Sequence, residues 1–196
     1  MPDPGPQKPA TQRFGLIVLA LAAVLGGFTL WRAQSVAPSA LVGGPFALQG
    51  GDGKTVTDKD FLGHPFLVYF GYTHCPDICP TELARIGAVF ERLPGKPLKG
   101  AFITIDPDRD TPALVADYVS SFDKRIVGLS GSPEAVAAAE KAYKVYARKG
   151  EAKPDGSYGM DHTSVVYLMD AKGGFAEAFN LDRPPEEAAA ELATYF

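Results

Sequence analysis

A run of apolar residues that leads into two cysteines and a proline constrains this chain more than any other feature. The run extends from Pro65 to Phe70, and four residues separate it from the hexapeptide CPDICP, which extends from Cys75 to Pro80. A nearly continuous apolar run of this length is typical of a strand that is buried on both faces of a sheet. Because proline is tolerated in the first turn of a helix but not in its interior, Pro80 predicts a helix that begins close to Cys79. Both cysteines are therefore predicted to lie at a strand-to-helix junction.

The two sulfur atoms are expected to meet the N-terminus of that helix. Unpaired amide groups and the helix dipole favour the thiolate there, so we expect lowered pKa values at Cys75 and Cys79. Residues four apart in a helix have Cα atoms about 6 Å apart, which is within range of a disulfide. The pair is thus suited either to redox chemistry or to binding a soft metal ion. A purely structural disulfide is the alternative, but closing so short a loop would stabilise the chain little.

Three histidines are candidates for a third ligand. His64 lies in a Gly-His-Pro turn and is predicted to be a solvated loop residue. His74 is adjacent to Cys75, and neighbouring side chains usually point apart. His162 begins a segment that reaches Met169 and that we interpret as a strand. If this strand runs antiparallel to the buried one, its first residue lies beside the end that carries the cysteines.

Two thiolates and one imidazole form a ligand set that favours copper. Such a set would hold Cu(I) as a three-coordinate soft site, would also suit Cu(II), and would hold zinc with a vacant fourth position. Copper binds more tightly than zinc in the general affinity order. A site that is open on one side suits delivery of the ion better than its storage.

The acidic run Thr104 to Pro112 carries three alternating carboxylates. A calcium loop that began there would need glycine and glutamate where this chain has Thr111 and Asp117, so calcium binding is excluded. We predict a structural role instead, in which the carboxylates bind backbone amides and cap the next helix.

Strand and helix patterns alternate along the rest of the chain. The predicted elements are a hairpin at 46–57, strands at 65–70, 100–105 and 125–129, helices at 81–93, from 111 and at 135–143, a hairpin at 162–180, and a helix at 184–195. After the opening hairpin, the order is βαβαβα followed by ββα. This order predicts an α/β fold with a thioredoxin-like mixed sheet flanked by helices and an N-terminal β-hairpin extension.

An uncharged stretch of eighteen residues, Phe14 to Trp31, lies between Arg13 and Arg32. As a helix it would span about 27 Å, which is at the short end of what a bilayer core requires. Lys8 and Arg13 precede it whereas only Arg32 follows closely, so the positive-inside rule places the N-terminus in the cytoplasm. The stretch therefore predicts a single transmembrane anchor.

We accordingly expect a protein of the bacterial inner membrane whose C-terminal domain lies in the periplasm. The expected parts are a cytoplasmic tail at 1–13, the anchor at 14–31, a linker at 32–44 and the exported domain at 45–196. A signal peptide cleaved after Ser35-Val36-Ala37 is the alternative. Nucleic acid is excluded as a partner, because the formal net charge is −4 and no basic stripe is present.

The segment from Phe70 to Thr81, FGYTHCPDICPT, resembles the SCO/SenC family of membrane-anchored copper proteins. Three further segments agree with that family in the same order along the chain. They are Gly44-Pro45-Phe46 with the following hairpin, the IDPDRDTP run from Ile105 to Pro112, and Met160-Asp161-His162-Thr163 leading into Tyr167-Leu168-Met169. The resemblance extends from about residue 43 to the C-terminus and is far more specific than an isolated CxxxC motif.

The resemblance implies a thioredoxin-like fold in which Cys75, Cys79 and His162 bind one copper ion per chain. It further implies that the protein delivers copper, without turnover, to the binuclear copper site in subunit II of cytochrome c oxidase. The copper would come from another exported carrier. Asp77 and Asp161, which are close to the ligands in sequence, are candidates for tuning them.

Some family members resemble thiol-disulfide reductases that keep the cysteines of the recipient reduced, and the motif does not separate the two roles. In that case Cys75 and Cys79 would be the redox pair and His162 would matter less. A peroxidase with a single attacking cysteine is less favoured, because it would leave His162 without a role.

Overall fold

The computed structural model describes residues 42–196. The predicted tail and transmembrane anchor, and most of the predicted linker, lie outside the described residues. No helix within residues 42–196 is both long and apolar enough to cross a membrane.

Nine strands and four α-helices make up this part of the chain. In chain order they are β1 (Ala47–Gln49), β2 (Thr55–Thr57), β3 (Phe66–Gly71), α1 (Ile78–Glu91), β4 (Lys99–Thr104), α2 (Pro112–Ser120), β5 (Ile126–Leu129), α3 (Pro133–Tyr143), β6 (Ala147–Lys149), β7 (Met160–His162), β8 (Val166–Met169), β9 (Phe175–Ala178) and α4 (Pro185–Leu192). Short 3-10 helices follow β2 at Asp58–Phe61 and α4 at Ala193–Tyr195.

Five of these strands form a mixed sheet in the order β5-β4-β3-β8-β9. Strand β3 is at the centre, where it pairs in parallel with β4 and antiparallel with β8. All six of its residues are buried, as its apolar sequence predicted. Strands β1 and β2 form the predicted N-terminal hairpin outside this sheet.

Helices cover both faces of the sheet. Tyr118 of α2 contacts Phe102 of β4 on one face, with 5.9 Å between ring centroids. On the other face Tyr143 of α3 contacts Phe70 of β3, with 5.4 Å between centroids. Helix α4 packs against α1. The predicted thioredoxin-like arrangement of a mixed sheet between helices is therefore confirmed.

Hydroxyl caps and prolines begin two of the helices. Thr111 Oγ1 accepts a hydrogen bond from the Leu114 amide at the start of α2, and Ser132 Oγ does the same for the Ala135 amide at the start of α3. A proline occupies the first turn in both cases, where its missing N–H costs nothing.

The strand predicted at 162–169 is wrong in one respect, because it is divided into two. Residues 160–162 form β7 and pair with β6, whereas 166–169 form β8 and pair with β3. Thr163 holds the break in place, since its hydroxyl accepts from the Tyr146 amide and its own amide donates to the Tyr146 carbonyl. The predicted antiparallel pairing is nevertheless confirmed, and Val166 lies opposite Tyr69 near the end of β3.

Candidate metal centre

The turn from β3 into α1 positions both cysteines. Helix α1 begins at Ile78, so Cys79 lies in its first turn and Cys75 lies in the loop before it. The Cys79 amide donates a hydrogen bond to Cys75 Sγ at 3.4 Å. One of the free amides of the helix N-terminus therefore points at a cysteine sulfur, as the position of Pro80 had predicted.

Gly71, the last residue of β3, leaves the space that Cys79 occupies. A Cβ atom at residue 71 would lie 2.9 Å from Cys79 Sγ and 2.8 Å from the ring of Phe102. Real Cβ atoms do not approach other heavy atoms so closely. The sulfur can therefore lie against the end of the strand only because residue 71 has no side chain.

His162 is brought to this turn from the end of β7. Its Nε2 atom is 3.9 Å from Cys79 Sγ, although the two residues are 83 positions apart in sequence. The ligand atoms of Cys75, Cys79 and His162 all lie within 4.8 Å of one another. The structure thus unites the three residues that the sequence analysis selected. His64 and His74 are exposed and do not belong to this cluster.

The hydrogen bonds of His162 direct a lone pair towards the cysteines. Its Nδ1 atom is 3.0 Å from the Thr163 carbonyl oxygen, which can only accept, so Nδ1 carries the proton and Nε2 does not. The ring of Tyr72 packs edge-on against the imidazole, with 6.0 Å between centroids. Burial lowers the pKa of His162, so the ring is neutral at pH 7 and available as a ligand.

The predicted lowering of the pKa is wrong for Cys79. Burial, together with a smaller effect of Cys75, raises the pKa of its thiol to about 12, although a backbone hydrogen bond with Tyr72 and the Tyr69 hydroxyl act in the opposite direction. The sulfur is fully buried, and the cost of removing a charge from water outweighs the effect of the helix N-terminus. In the metal-free protein Cys79 is therefore a thiol, and a metal ion must displace its proton.

A cleft of about 520 Å³ opens onto the centre from one side. Cys75 and His162 line it, and Cys79 lies behind them with no exposed surface. Two large apolar side chains, Ile78 and Tyr146, stand at its edge with 40% and 56% of their surfaces exposed. Nothing in the sequence distinguishes Tyr146 from an ordinary surface or packing residue. This cleft gives an ion or a partner protein a route to the Cys75 sulfur.

A buried carboxylate holds the loop that precedes Cys75. Asp110 is fully buried and accepts hydrogen bonds from the Thr73 amide, the Thr73 hydroxyl and the Thr104 hydroxyl at 2.9, 2.6 and 2.7 Å. The predicted role of the acidic run, binding backbone amides, is thus confirmed for Asp110. The cap of the next helix is the Thr111 hydroxyl rather than a carboxylate.

The same acidic run also holds the segment that leads to His162. Asp106 accepts a hydrogen bond from the Tyr158 hydroxyl at 2.9 Å and one from Arg109 Nε at 2.5 Å. Arg109 in turn donates to the Tyr158 carbonyl, and its guanidinium lies 3.5 Å from the centre of the Tyr158 ring. The sequence pattern does not predict this role of Arg109 and Tyr158. The only signal in the sequence was the presence of arginine among the three carboxylates.

Sequence comparison matches residues 34–196 to the SCO1/SenC family. The mitochondrial protein SCO1 homolog of Homo sapiens is 42% identical over 159 residues, which cover 79% of this chain and 53% of that protein. Protein SenC of Rhodobacter capsulatus is 37% identical over 170 residues, which cover 86% of this chain and 76% of that protein. The chain spans about half the length of several of the curated relatives that it matches.

Solved structures of similar proteins share the fold. Bradyrhizobium japonicum ScoI with copper bound is 50% identical with a TM-score of 0.76, over 79% of this chain and 99% of that one. Yeast Sco1 with copper bound is 37% identical with a TM-score of 0.72, over 79% of this chain and 87% of that one. Both similarities are well above the level at which only a fold is shared.

Proposed function

The chain belongs to the SCO1/SenC family, and from this premise we propose that it binds copper through Cys75, Cys79 and His162 and delivers it during assembly of cytochrome c oxidase. The proposed recipient is the binuclear copper site of subunit II, and the proposed source is another exported copper carrier. The observation that carries the proposal is the convergence of three ligand atoms within 4.8 Å of one another.

The ligand set and its surroundings fit a transferable Cu(I) ion. Thiolate sulfurs are the soft ligands that select Cu(I), and imidazole is a further ligand that suits copper. The Nε2 atom of His162 faces Cys79 Sγ at 3.9 Å, so these two atoms, with Cys75 Sγ, would hold the ion once the Cys79 thiol has lost its proton. Cys75 borders the cleft, and a ligand from a partner can reach the bound ion from that side.

Copper titration of the reduced chain tests this proposal. We expect the unmodified chain to bind one Cu(I) ion in competition with a chromophoric chelator. Cys75→Ser, Cys79→Ser and His162→Ala should each lose most of that affinity. His74→Ala is the matched control, because His74 is adjacent to Cys75 but is exposed and outside the cluster. Unchanged affinity in His162→Ala contradicts the proposed site.

Thiol-disulfide exchange is the second candidate function, and the unequal burial of the two cysteines favours it. Cys75 borders the cleft and accepts a hydrogen bond from the Cys79 amide, so a disulfide of a partner can reach its sulfur. The Cys75 thiolate would attack a disulfide of the partner, forming a mixed disulfide and releasing one partner thiolate. Cys79 would lose its proton and attack Cys75, releasing the second. The partner gains two electrons and two protons, and Cys75 and Cys79 are left as a disulfide.

His162→Ala separates the two functions in cells. In a host that lacks the protein, this variant should fail to restore oxidase activity if copper transfer is the function. Restoration by a variant that no longer binds copper would favour reduction of the recipient by the two cysteines.

To deliver copper to a recipient site outside the cytoplasm, the proposed metal centre of this chain must also lie outside the cytoplasm. We therefore propose that residues 14–31 anchor the chain in the bacterial inner membrane and that residues 45–196 lie in the periplasm. The N-terminal sequence of the protein recovered from cells tests this arrangement, because cleavage after residue 37 would remove the proposed anchor.

A further inference from the structure

A buried hydroxyl group without a hydrogen-bond partner lies on the strand beneath the metal centre. Tyr69 of β3 is only 1% exposed, and its Oη atom has no hydrogen-bond partner among residues 42–196. Leaving a buried hydroxyl unpaired is unfavourable, and most such groups in folded proteins find a partner. A phenylalanine would fill the same space without this cost, so the hydroxyl requires an explanation.

Tyr69 is on the face of the sheet that carries Cys79. Side chains two apart in a strand point to the same face, so Tyr69 and residue 71 share a face. Cys79 Sγ lies directly against residue 71 on that face. The ring of Phe102 contacts both positions, since it is 5.9 Å from the Tyr69 ring and borders the space above Gly71. The phenol therefore forms part of the wall around the Cys79 sulfur and lies apart from the residues that line the cleft.

A tyrosine hydroxyl can donate a hydrogen bond as well as accept one. Tyr69 therefore carries a proton that it can offer to a sulfur on this face of the sheet.

We propose that Tyr69 is a positioning residue whose hydroxyl donates a hydrogen bond to Cys79 Sγ when that sulfur is a copper-bound thiolate. The inference rests on the proposed copper function and adds a residue that the CxxxC motif and His162 do not include. Its basis is a buried donor without a partner beside a sulfur that must become negatively charged.

The structure shows no hydrogen bond from the Tyr69 hydroxyl to Cys79 Sγ, and a neutral thiol is a weak acceptor. A thiolate is a much better one, and hydrogen bonds to charged groups are roughly twice as strong as neutral ones. The hydroxyl thus gains its partner only when the metal ion displaces the thiol proton. It favours the metal-bound state over the metal-free state and so contributes to how tightly the ion is held.

Replacement of Tyr69 by phenylalanine in the full chain tests the proposal. We expect Tyr69→Phe to lower the Cu(I) affinity about tenfold, within the range of about 10- to 100-fold for groups that support metal ligands. In the Cu(II)-loaded protein, the sulfur-to-copper charge-transfer band should shift to longer wavelength, because the sulfur electrons are no longer stabilised by the hydroxyl. The melting temperature of the metal-free protein should not fall, since an unpaired hydroxyl has been removed.

Tyr143→Phe is the matched control. Tyr143 is also only 1% exposed, but it belongs to α3 and contacts Phe70 on the face of the sheet opposite Cys79. We expect this variant to keep the wild-type copper affinity and charge-transfer band.

Two results would overturn the inference. One is a Tyr69→Phe protein whose affinity and band equal those of the wild type. The other is a loss of affinity that is accompanied by an equal loss of stability in the metal-free protein, which indicates a packing role. Failure of the proposed copper function is distinguishable from both, because the unmodified chain itself would then bind no copper.

Discussion

A single missing side chain decides where the Cys79 sulfur lies. Because a Cβ atom at residue 71 would come within 3 Å of both Cys79 Sγ and Phe102, we expect Gly71→Ala to displace the sulfur or the strand. Overpacking of this kind typically lowers the free energy of unfolding by about 1–3 kcal/mol. Copper affinity should also fall, because the sulfur no longer faces His162. Urea denaturation and competition with a copper chelator measure the two effects.

Gly100→Ala is the control substitution for Gly71→Ala. Gly100 is also buried in the central sheet, but a Cβ atom there would be 3.5 Å from Ile126 and 3.6 Å from Phe90, which are ordinary contacts. We expect a small change in stability and none in copper affinity. Equal effects of the two substitutions would mean that the close approach at residue 71 is not the cause.

Among the elements, the connection between β4 and α2 has the widest influence on the metal centre. It contacts the loop before Cys75 through Asp110 and the segment before His162 through Asp106 and Arg109. One element therefore holds the two parts of the chain that supply the ligands. The rest of the cluster depends on this connection even though none of its residues is a proposed ligand.

Asp110→Asn should weaken both folding and copper binding. The amide group has one acceptor oxygen where the carboxylate has two, so at least one of the three donors from Thr73 and Thr104 loses its partner. A hydrogen bond to a buried charged group contributes about 1.5–3 kcal/mol, and we expect a loss of stability of that size in thermal or urea unfolding. Thr73 would also be less firmly held, which displaces Cys75.

Asp108→Asn tests whether this effect belongs to the element or to one side chain. Asp108 lies two residues earlier in the same connection, and its side chain is 65% exposed. Its replacement should change neither stability nor copper affinity measurably. Equal losses in both variants would refute the role given to Asp110.

At the scale of the whole molecule, the metal centre exists only when the sheet is assembled. Cys79 and His162 are 83 residues apart in sequence, and the pairing of β8 with β3 brings their segments together. A ligand that binds only the folded state stabilises it by mass action, by about 2.7 kcal/mol when the free ligand is a hundredfold above Kd. Reduced protein should therefore unfold at a higher temperature with Cu(I) than without it.

His162→Ala provides the comparison for this measurement. The unfolded chain can still bind copper through its two cysteines, so copper stabilises the folded state only to the extent that this state binds it more tightly. In the wild type, the imidazole held beside the cysteines provides that difference. The folded His162→Ala protein lacks the imidazole, so its unfolding temperature should rise much less. A rise as large as that of the wild type would show that the two cysteines alone account for binding.

Patterns within a short stretch of sequence were enough to predict the strand-to-helix junction that carries Cys75 and Cys79. The apolar run before Gly71 indicated a buried strand, and Pro80 indicated a helix start, because both signals depend on residues close together in the chain. The position of His162 required one further step, the antiparallel pairing of the last sheet strands. Its proposed role as a copper ligand comes from the resemblance to a family and not from spacing.

Only the tertiary structure decided the features that depend on distant residues. The sequence contained no sign that Thr163 would bond to Tyr146 and divide the predicted strand, or that Asp110 would reach Thr73 across 37 residues. It also predicted the wrong direction for the pKa of Cys79, because the helix N-terminus is a local feature whereas burial results from the packing of the whole domain. The sequence by itself thus determined which ligands are present and on which elements they lie, and the packed fold determined their protonation and their support.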